Sequence, residues 1–173
     1  MLKVRNIFQI ISELLLAILS AVIITQFIFM HSSVPTGSMI PTILIGDHLA
    51  LNKITAYYRM PKRGEIIVFF NGQDNLIKRV IALPGEEVDL INGIVLINGT
   101  PLDEPYLNEP NSTFPITYNI DFPYVVPDEY IFVLGDNRKN SSDSRDFGPI
   151  SRHDIVSIGA YRIYPFSDME VLH

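Results

Sequence analysis

The feature that most constrains this chain is an apolar run near its N-terminus, over residues 7–30. No charged residue lies between residues 14 and 30, and residues 7–13 add only Gln9, Ser12 and Glu13 to apolar positions. A bilayer core of about 30 Å is crossed by roughly 20 helical residues, because each residue of a helix rises about 1.5 Å. The run therefore predicts a transmembrane helix over residues 7–30.

The charges on either side of this run indicate its orientation. Lys3 and Arg5 precede it, and no lysine or arginine follows until Lys53. Positive flanks stay on the cytoplasmic side, so we expect residues 1–6 in the cytoplasm and the rest of a single-pass plasma-membrane protein outside it. A cleavable signal peptide has the same charge order, but its apolar region is usually shorter, about 7 to 15 residues. No small-x-small cleavage site directly follows the run either, so we expect an uncleaved anchor.

The composition excludes several classes of function. The 173 residues include no cysteine, which removes disulfide bonds, thiolate metal sites and cysteine nucleophiles. The formal net charge is −6, whereas a nucleic acid partner needs a clustered positive surface. The chain has no His-Glu-x-x-His motif and no glycine-rich phosphate loop, so neither a metal site nor a nucleotide site is predicted.

Beyond the apolar run the pattern changes from helical to extended. Short runs rich in Ile, Val, Phe and Tyr alternate with turn residues. They predict β-strands over residues 47–53, 65–70, 75–82, 87–91, 94–97, 130–134 and 157–164. Asn92 and Gly93 separate two of these strands, which is a strong signal for a tight hairpin. We therefore expect a mostly β fold of twisted antiparallel sheets or a partly closed barrel.

One stretch, residues 101–127, does not fit this pattern. It holds six of the twelve prolines of the chain. Because proline cannot donate a hydrogen bond to a strand ladder, we expect this stretch to leave the sheets as a surface insertion or small cap. It would divide one β domain into a first part, residues 31–100, and a second part, residues 128–173.

Two polar segments could carry chemistry, residues 35–42 after the apolar run and residues 135–148 after an apolar strand. In the first, Ser38 is flanked by Gly37 and by Pro41, which indicates a tight turn. A serine beside a glycine usually marks only a turn, and it is a nucleophile only if a base can take its proton. None of the four histidines lies in a polar, glycine-flanked loop, so the base must be sought elsewhere.

Lys78 is a candidate for that base because it lies inside an apolar strand. Strand alternation puts it on one face with Leu76 and Val80. A lysine at such a position either prevents an exposed sheet edge from pairing with another chain or works as a neutral amine. An unperturbed amine has a pKa of about 10.4, so only about one in 2,500 is neutral at pH 7, and burial lowers that pKa.

Four sequence blocks follow the apolar run. In chain order they are residues 37–42 (Gly-Ser-Met-Ile-Pro-Thr), residues 46–53 (Gly-Asp-His-Leu-Ala-Leu-Asn-Lys), residues 78–86 (Lys-Arg-Val-Ile-Ala-Leu-Pro-Gly-Glu) and residues 135–145, which begin Gly-Asp-Asn-Arg and end Asp-Ser-Arg. Together, and in this order behind an anchor, they resemble the bacterial type I signal peptidases, also called leader peptidases. One block alone is a weak signal, but the set covers nearly the whole chain.

The resemblance implies a Ser/Lys endopeptidase that needs no cofactor and removes signal peptides from exported preproteins at the outer surface of the lipid bilayer. Ser38 matches the nucleophile, Lys78 the general base and Ser141 the serine that orients the lysine amine. Thr36 matches a position whose hydroxyl completes the oxyanion hole with the Ser38 N–H. The family also suggests two supporting pairs, which are Asp136 with Arg79 and Asp143 with Arg145.

For substrate binding, the resemblance implies an extended peptide between two strand edges, residues 31–36 and residues 75–78. Small residues at the first and third positions before the cut, as in Ala-x-Ala, would enter shallow pockets. The residues expected to line these pockets are Val34, Met39, Ile43, Leu76 and Ile77.

Two other interpretations compete with this one. Self-cleaving Ser/Lys repressor-type proteases share the catalytic sheet, but they cut themselves at an Ala-Gly or Cys-Gly bond and carry a DNA-binding segment. This chain has no Ala-Gly pair, no cysteine and no basic region. A catalytically inactive, membrane-anchored binding module is the other alternative. The intact Ser38, Lys78 and Ser141 favour the enzyme. An inactive protein would have no reason to keep a buried lysine, whose burial costs free energy.

Overall fold

The computed structural model of the chain describes residues 2–24, 29–117 and 120–172. The N-terminal segment is a helix, α1 (Leu2–Ile23), and the side chains of residues 7–22 are exposed. None of the helices in these described ranges combines the length and the apolarity that crossing a membrane requires.

The predicted end of the N-terminal helix at residue 30 is wrong. Phe29 already begins strand β1 (Phe29–Ser33), which pairs with β2 (His48–Asn52). Apolarity alone does not separate a helix from a strand, and here the pairing with β2 supplies backbone partners to Phe29 and Met30. Residues 25–28 of the predicted span lie outside the described residues.

The remaining elements are short. The strands that follow are β3 (Ile66–Phe70), β4 (Asn75–Ala82), β5 (Glu87–Ile91), β6 (Ile94–Ile97), β7 (Thr100–Pro101), β8 (Tyr124–Val125), β9 (Tyr130–Leu134), β10 (Ile150–Ser151), β11 (Ile155–Ile158), β12 (Ala160–Tyr164) and β13 (Glu170–Leu172). The short helices are α2 (Ile54–Tyr58) and α3 (Ser144–Phe147), with 3₁₀ turns at Arg152–Asp154 and Phe166–Asp168.

These strands form three sheets. Their hydrogen-bonded orders are β1-β2-β12-β13, β10-β9-β4-β3-β11 and β7-β6-β5-β8. Every strand pair is antiparallel. The prediction of a mostly β chain with antiparallel sheets is therefore confirmed.

Four predicted strands have the observed bounds, namely β4, β5, β6 and β9. The hairpin between β5 and β6 turns at Asn92 and Gly93, whose φ angles are 52° and 81°. Both angles are positive, as a two-residue hairpin with the twist of its strands requires.

The single strand predicted over residues 157–164 is wrong, because the chain breaks it at Gly159. That glycine has a φ of +83°, a conformation that side chains disfavour. Before it, β11 pairs with β3, and after it, β12 pairs with β2 in another sheet. Gly159 therefore lets one apolar run serve two sheets.

The proline-rich stretch is not only a surface excursion. Its first residue ends β7 and its last strand is β8, so both ends extend the sheet that contains β5 and β6. Val126 is buried in the core beside this sheet. The prolines lie at the edge of that sheet or between its strands, where a missing N–H is tolerated.

Candidate active site

The turn that carries Ser38 is fixed by apolar side chains on both sides of it. Val34, Met39 and Ile43 are buried in one core cluster with residues of β2 and β3. Within the turn, the Ile43 N–H donates to the Met39 carbonyl over 2.9 Å. Ser38 itself is only half-buried, so the buried neighbours hold the backbone while the hydroxyl stays accessible.

Lys78 lies in the middle of β4, which is itself an inner strand of its sheet between β3 and β9. Only 3% of its surface is exposed. Its Nζ is 2.9 Å from the Ser38 Oγ and 3.1 Å from the Ile77 carbonyl oxygen. The structure thus brings together two residues that are forty positions apart in the sequence.

Burial also changes the acidity of this amine. Desolvation lowers the pKa of Lys78 to about 8, although the carboxylates of Asp143 and Asp136 act in the opposite direction. At pH 7 about one amine in ten is then neutral, compared with about one in 2,500 for a free lysine. A neutral amine at hydrogen-bond distance from a serine hydroxyl can accept its proton.

Two donors are available for a developing oxyanion. Within the part of the chain that the structure describes, the Ser38 N–H and the Thr36 hydroxyl make no hydrogen bond. Thr36 is exposed, and both residues line the same cleft. Unpaired donors that face a cleft can bind a carbonyl oxygen as it becomes negatively charged.

Ser141 lies close to the Ser38 segment but is not bonded to the lysine. Its side chain is buried, and its Oγ has no hydrogen-bond partner among the described residues. A Cβ at Gly135 would lie 2.2 Å from the Ser141 Oγ and 2.5 Å from the Ser38 carbonyl oxygen. Only glycine at position 135 therefore permits this close approach.

The first charged pair expected from the sequence, Arg79 with Asp136, is present and buried. The Arg79 Nε and Nη2 donate to the two Asp136 oxygens over 2.9 and 2.7 Å. Thr42 donates to the same carboxylate over 2.5 Å. This contact joins the strand of Lys78, the polar segment 135–148 and the turn of Ser38.

The second pair, Asp143 with Arg145, is also present and buried. The Arg145 Nε and Nη2 each lie 2.9 Å from an Asp143 oxygen. Asp143 accepts a further bond from the Gly135 N–H over 3.1 Å. Since Gly135 contacts both Ser38 and Ser141, this carboxylate fixes the backbone beneath them.

Sequence reasoning missed a third buried pair, Arg138 with Glu104. Their side chains are 1% and 8% exposed, and the Arg138 Nη1 lies 3.0 Å from a Glu104 oxygen. The Arg138 Nε also donates to the Gly135 carbonyl over 3.0 Å. Tyr106, two residues after Glu104, lies under the Arg79 guanidinium at 4.0 Å. The proline-rich stretch therefore supports the polar segment, and no pattern in the sequence links Glu104 with Arg138.

A cleft of about 340 Å³ runs beside Ser38 and Lys78. Its walls come from residues 32–36 on one side and from residues 74–78 on the other, close to the two edges expected from the sequence. All five residues expected to contact substrate line it, which are Val34, Met39, Ile43, Leu76 and Ile77. The cleft is mostly apolar and opens onto Ser38 and Lys78, so it can hold an extended peptide at the hydroxyl.

Comparisons with known proteins agree on one family. A family model described as "Signal peptidase, peptidase S26" matches residues 7–164. A probable signal peptidase I-1 of Synechocystis sp. is 39% identical over 165 residues, which cover 89% of this chain and 81% of that protein. Signal peptidase I S of Bacillus subtilis is 34% identical over 174 residues, which cover 96% and 94% of the two chains.

Among solved structures, a signal peptidase I from Enterococcus faecalis matches with 31% identity and a TM-score of 0.47, covering 58% of this chain and 97% of that one. The family model and the two relatives cover most of the sequence, including all four blocks and the residues of the cleft. The chain therefore belongs to the signal peptidase family, peptidase S26, and is a serine endopeptidase of the signal peptidase I type.

Proposed function

We propose that this chain is a membrane-anchored endopeptidase that removes signal peptides from exported preproteins by cutting after a small-x-small motif. One observation carries the proposal: the buried amine of Lys78 lies 2.9 Å from the Ser38 hydroxyl at the end of an apolar cleft. The apolar segment that begins at residue 7 anchors the chain, with residues 1–6 in the cytoplasm. The catalytic domain, residues 31–100 and 128–173, then works at the outer surface of the plasma membrane, and residues 101–127 form an insertion.

In the proposed acylation step, the neutral Lys78 amine takes the proton of Ser38 as its Oγ attacks the carbonyl before the cleavage site. The Ser38 N–H and the Thr36 hydroxyl stabilise the negative oxygen of the tetrahedral intermediate. When the peptide bond breaks, the Lys78 ammonium gives the proton to the leaving amine of the mature protein. The signal peptide remains bound to Ser38 as an ester.

In the deacylation step, Lys78 takes a proton from a water molecule that attacks this ester. The proton returns to the Ser38 oxygen as the bond to the signal peptide breaks. Each proton that Lys78 accepts is thus given back within the same half-reaction, and no cofactor is consumed. The buried Ser141 Oγ, which has no hydrogen-bond partner among the described residues, is available to accept a bond from the amine and so orient it in both steps.

Specificity follows from the size of the cleft. An extended substrate would add a strand between residues 31–36 and residues 75–78, so alternate side chains point into the cleft. Met39 and Ile43 line the cleft and are fully buried. They therefore form a floor that leaves only a shallow space beneath the substrate. Small residues at the first and third positions before the cut fill that room, and larger ones collide with the floor.

This proposal is tested with purified full-length protein in detergent and a secretory precursor that carries Ala-x-Ala before its mature sequence. We expect one cut, directly after the second alanine, as mapped by sequencing the new N-terminus. Replacing that alanine with phenylalanine should slow the cleavage about 100-fold or more, because the pocket cannot take the ring. Equal cleavage of the two precursors would contradict the proposed specificity.

The proposed base predicts the pH dependence. Because the pKa of Lys78 is lowered to about 8, the fraction of neutral amine grows about tenfold per pH unit below that value and levels off above it. We expect kcat/KM to rise with pH, with a midpoint near pH 8. A pH–rate profile from pH 5.5 to 10 with a short peptide substrate measures this. A profile that stays flat, or that falls through this range, would assign the base to another group.

A further inference from the structure

Asn137 bonds two successive carbonyl groups of the Ser38 turn. Its backbone N–H donates to the Ser38 carbonyl over 3.0 Å, and its side-chain Nδ2 donates to the Gly37 carbonyl over 3.0 Å. The sequence separation of the side-chain bond is 100 residues. The Ile40 N–H also donates to the Gly37 carbonyl, over a longer 3.3 Å, and no other described side chain bonds either of these carbonyls.

The Gly37 carbonyl belongs to the same peptide group as the Ser38 N–H. A trans peptide group is planar, and its C=O and N–H point in opposite directions. A donor that fixes the direction of the Gly37 C=O therefore also fixes the direction of the Ser38 N–H. That N–H makes no bond within the described residues and belongs to a residue that lines the cleft.

The same bond also strengthens the donor. A hydrogen bond to the oxygen of a peptide group polarises the group and makes its N–H a better donor. Without this bond, only the longer 3.3 Å contact from the Ile40 N–H still restrains the Gly37 carbonyl. The Gly37–Ser38 peptide group then has more freedom to rotate, because Gly37 carries no side chain that restricts its backbone. A rotated group would turn the Ser38 N–H away from the substrate carbonyl.

We propose that Asn137 is a positioning residue for the oxyanion hole, which holds the Gly37–Ser38 peptide group so that the Ser38 N–H points at the substrate carbonyl. The proposal rests on the proposed function, since an oxyanion forms only if the chain cleaves peptide bonds. Asn137 acts through the backbone and needs no contact with the substrate. Its side chain does not bind the substrate in the ground state, so its contribution to catalysis is a lower free energy of the transition state.

The test compares Asn137→Ala with Asn140→Ala, an exposed asparagine three residues later in the same segment. Asn137 is only half-buried and borders a surface cavity of about 230 Å³, so truncating it opens no void in the core. Removing one oxyanion donor outright costs about 100- to 1,000-fold in kcat. Removing the group that only aims this donor should cost less, roughly 10- to 100-fold in kcat/KM, whereas Asn140→Ala should cleave at the parent rate.

A second variant sharpens the comparison. In Asn137→Asp, a carboxylate oxygen replaces the Nδ2 and repels the Gly37 carbonyl oxygen instead of donating to it. We expect Asn137→Asp to lose about tenfold more activity than Asn137→Ala, although the side chain has nearly the same size. Thermal unfolding of each full-length variant in detergent verifies that the domain is folded.

Three further readouts separate aiming of the oxyanion donor from a merely structural effect. The inhibition constant of a peptide boronate, whose tetrahedral adduct with Ser38 places an oxygen in the oxyanion hole, should rise in parallel with the loss of kcat/KM. The affinity for the uncleaved precursor, compared between Ser38→Ala and Ser38→Ala with Asn137→Ala, should not change. In Asn137→Ala the midpoint of the pH–rate profile should also stay in place, because Lys78 and the charges around it are untouched.

Failure of the proposed function and failure of the Asn137 proposal give different results. If the parent protein does not cut the precursor, the proposed function fails. If the parent cuts and Asn137→Ala cuts equally fast, or loses precursor affinity to the same extent as boronate affinity, Asn137 does not aim the oxyanion donor. A shifted pH midpoint in folded Asn137→Ala, which adds no charge, would likewise overturn the proposal, because it would show that Asn137 acts on the base.

Discussion

Ser38→Ala and Lys78→Met are each expected to lower kcat/KM for precursor cleavage by roughly 10⁴-fold or more, since each removes one half of the proton-transfer pair. In Ser38→Ala no hydroxyl remains to attack. In Lys78→Met the hydroxyl remains, but its 2.9 Å contact with an amine is replaced by a contact with an apolar chain of similar length. Cleavage by each purified variant is followed on gels over hours to reach this sensitivity.

The two variants should fail without unfolding. Ser38 is half-buried in a turn held by its neighbours, so removing its hydroxyl leaves the core intact. Burial lowers the pKa of Lys78, which means that its charged form is destabilised in the folded protein at pH 7. Methionine carries no charge and fits an apolar strand, so the free energy of unfolding of Lys78→Met should not fall.

Two further substitutions control for the charge of Lys78. Lys78→Arg keeps a positive charge but should be as inactive as the methionine variant, because a guanidinium stays protonated at any working pH. Lys62→Met removes an exposed lysine away from the cleft and should cleave at the parent rate. Normal cleavage by Lys78→Met or by Lys78→Arg would show that the base lies elsewhere.

The residues of the dyad stand out in the sequence for a physical reason. A lysine inside an apolar strand costs free energy when it is buried, so Lys78 requires an explanation that a surface lysine does not. The strands of the sheet around it were predictable because they are short runs rich in apolar residues bounded by turn residues, and β4 and β9 have the bounds that these runs predict. The roles of Thr36 and Ser141, by contrast, came from the resemblance to a family.

What the sequence did not reveal depends on which segments meet in space. Glu104 and Arg138 pair across 34 residues, and Asn137 reaches Gly37 across 100. Neither partner can be identified by periodicity, because a polar residue in a loop has many candidate partners of equal chemistry. The break at Gly159 was missed for a different reason: the residues on both sides of it are equally apolar, and only the positive φ angle of the glycine shows that the chain changes sheets.

Asp143→Asn is expected to lower the free energy of unfolding by about 3 kcal/mol, the lower part of the range for breaking a buried ion pair. Asp143 is fully buried and binds Arg145 through both oxygens. The substitution keeps the shape of the side chain but leaves the guanidinium of Arg145, itself only 2% exposed, without a neutralising charge. Urea unfolding of the full-length protein in detergent at pH 7 measures the loss.

The same polar segment provides a matched control. Lys139 and Glu109 form an ion pair whose side chains are 67% and 60% exposed. Because solvent screens such a pair, Glu109→Gln should change the free energy of unfolding by no more than about 0.5 kcal/mol. Equal losses in the two variants would mean that burial does not set the strength of the Asp143 contact.

Asp143→Asn should also move the pH dependence of cleavage, and the direction of the shift links the ion pair to the mechanism. The negative charge of Asp143 raises the pKa of Lys78 and so opposes the effect of burial. Without that charge the protonated amine is less stable, the pKa of Lys78 falls further below its ordinary value, and the midpoint of the kcat/KM profile should shift below pH 8. Glu109→Gln should leave the midpoint in place. A midpoint that moves upward in folded Asp143→Asn would require a base whose protonated form Asp143 does not stabilise, and Lys78 would no longer fit that role.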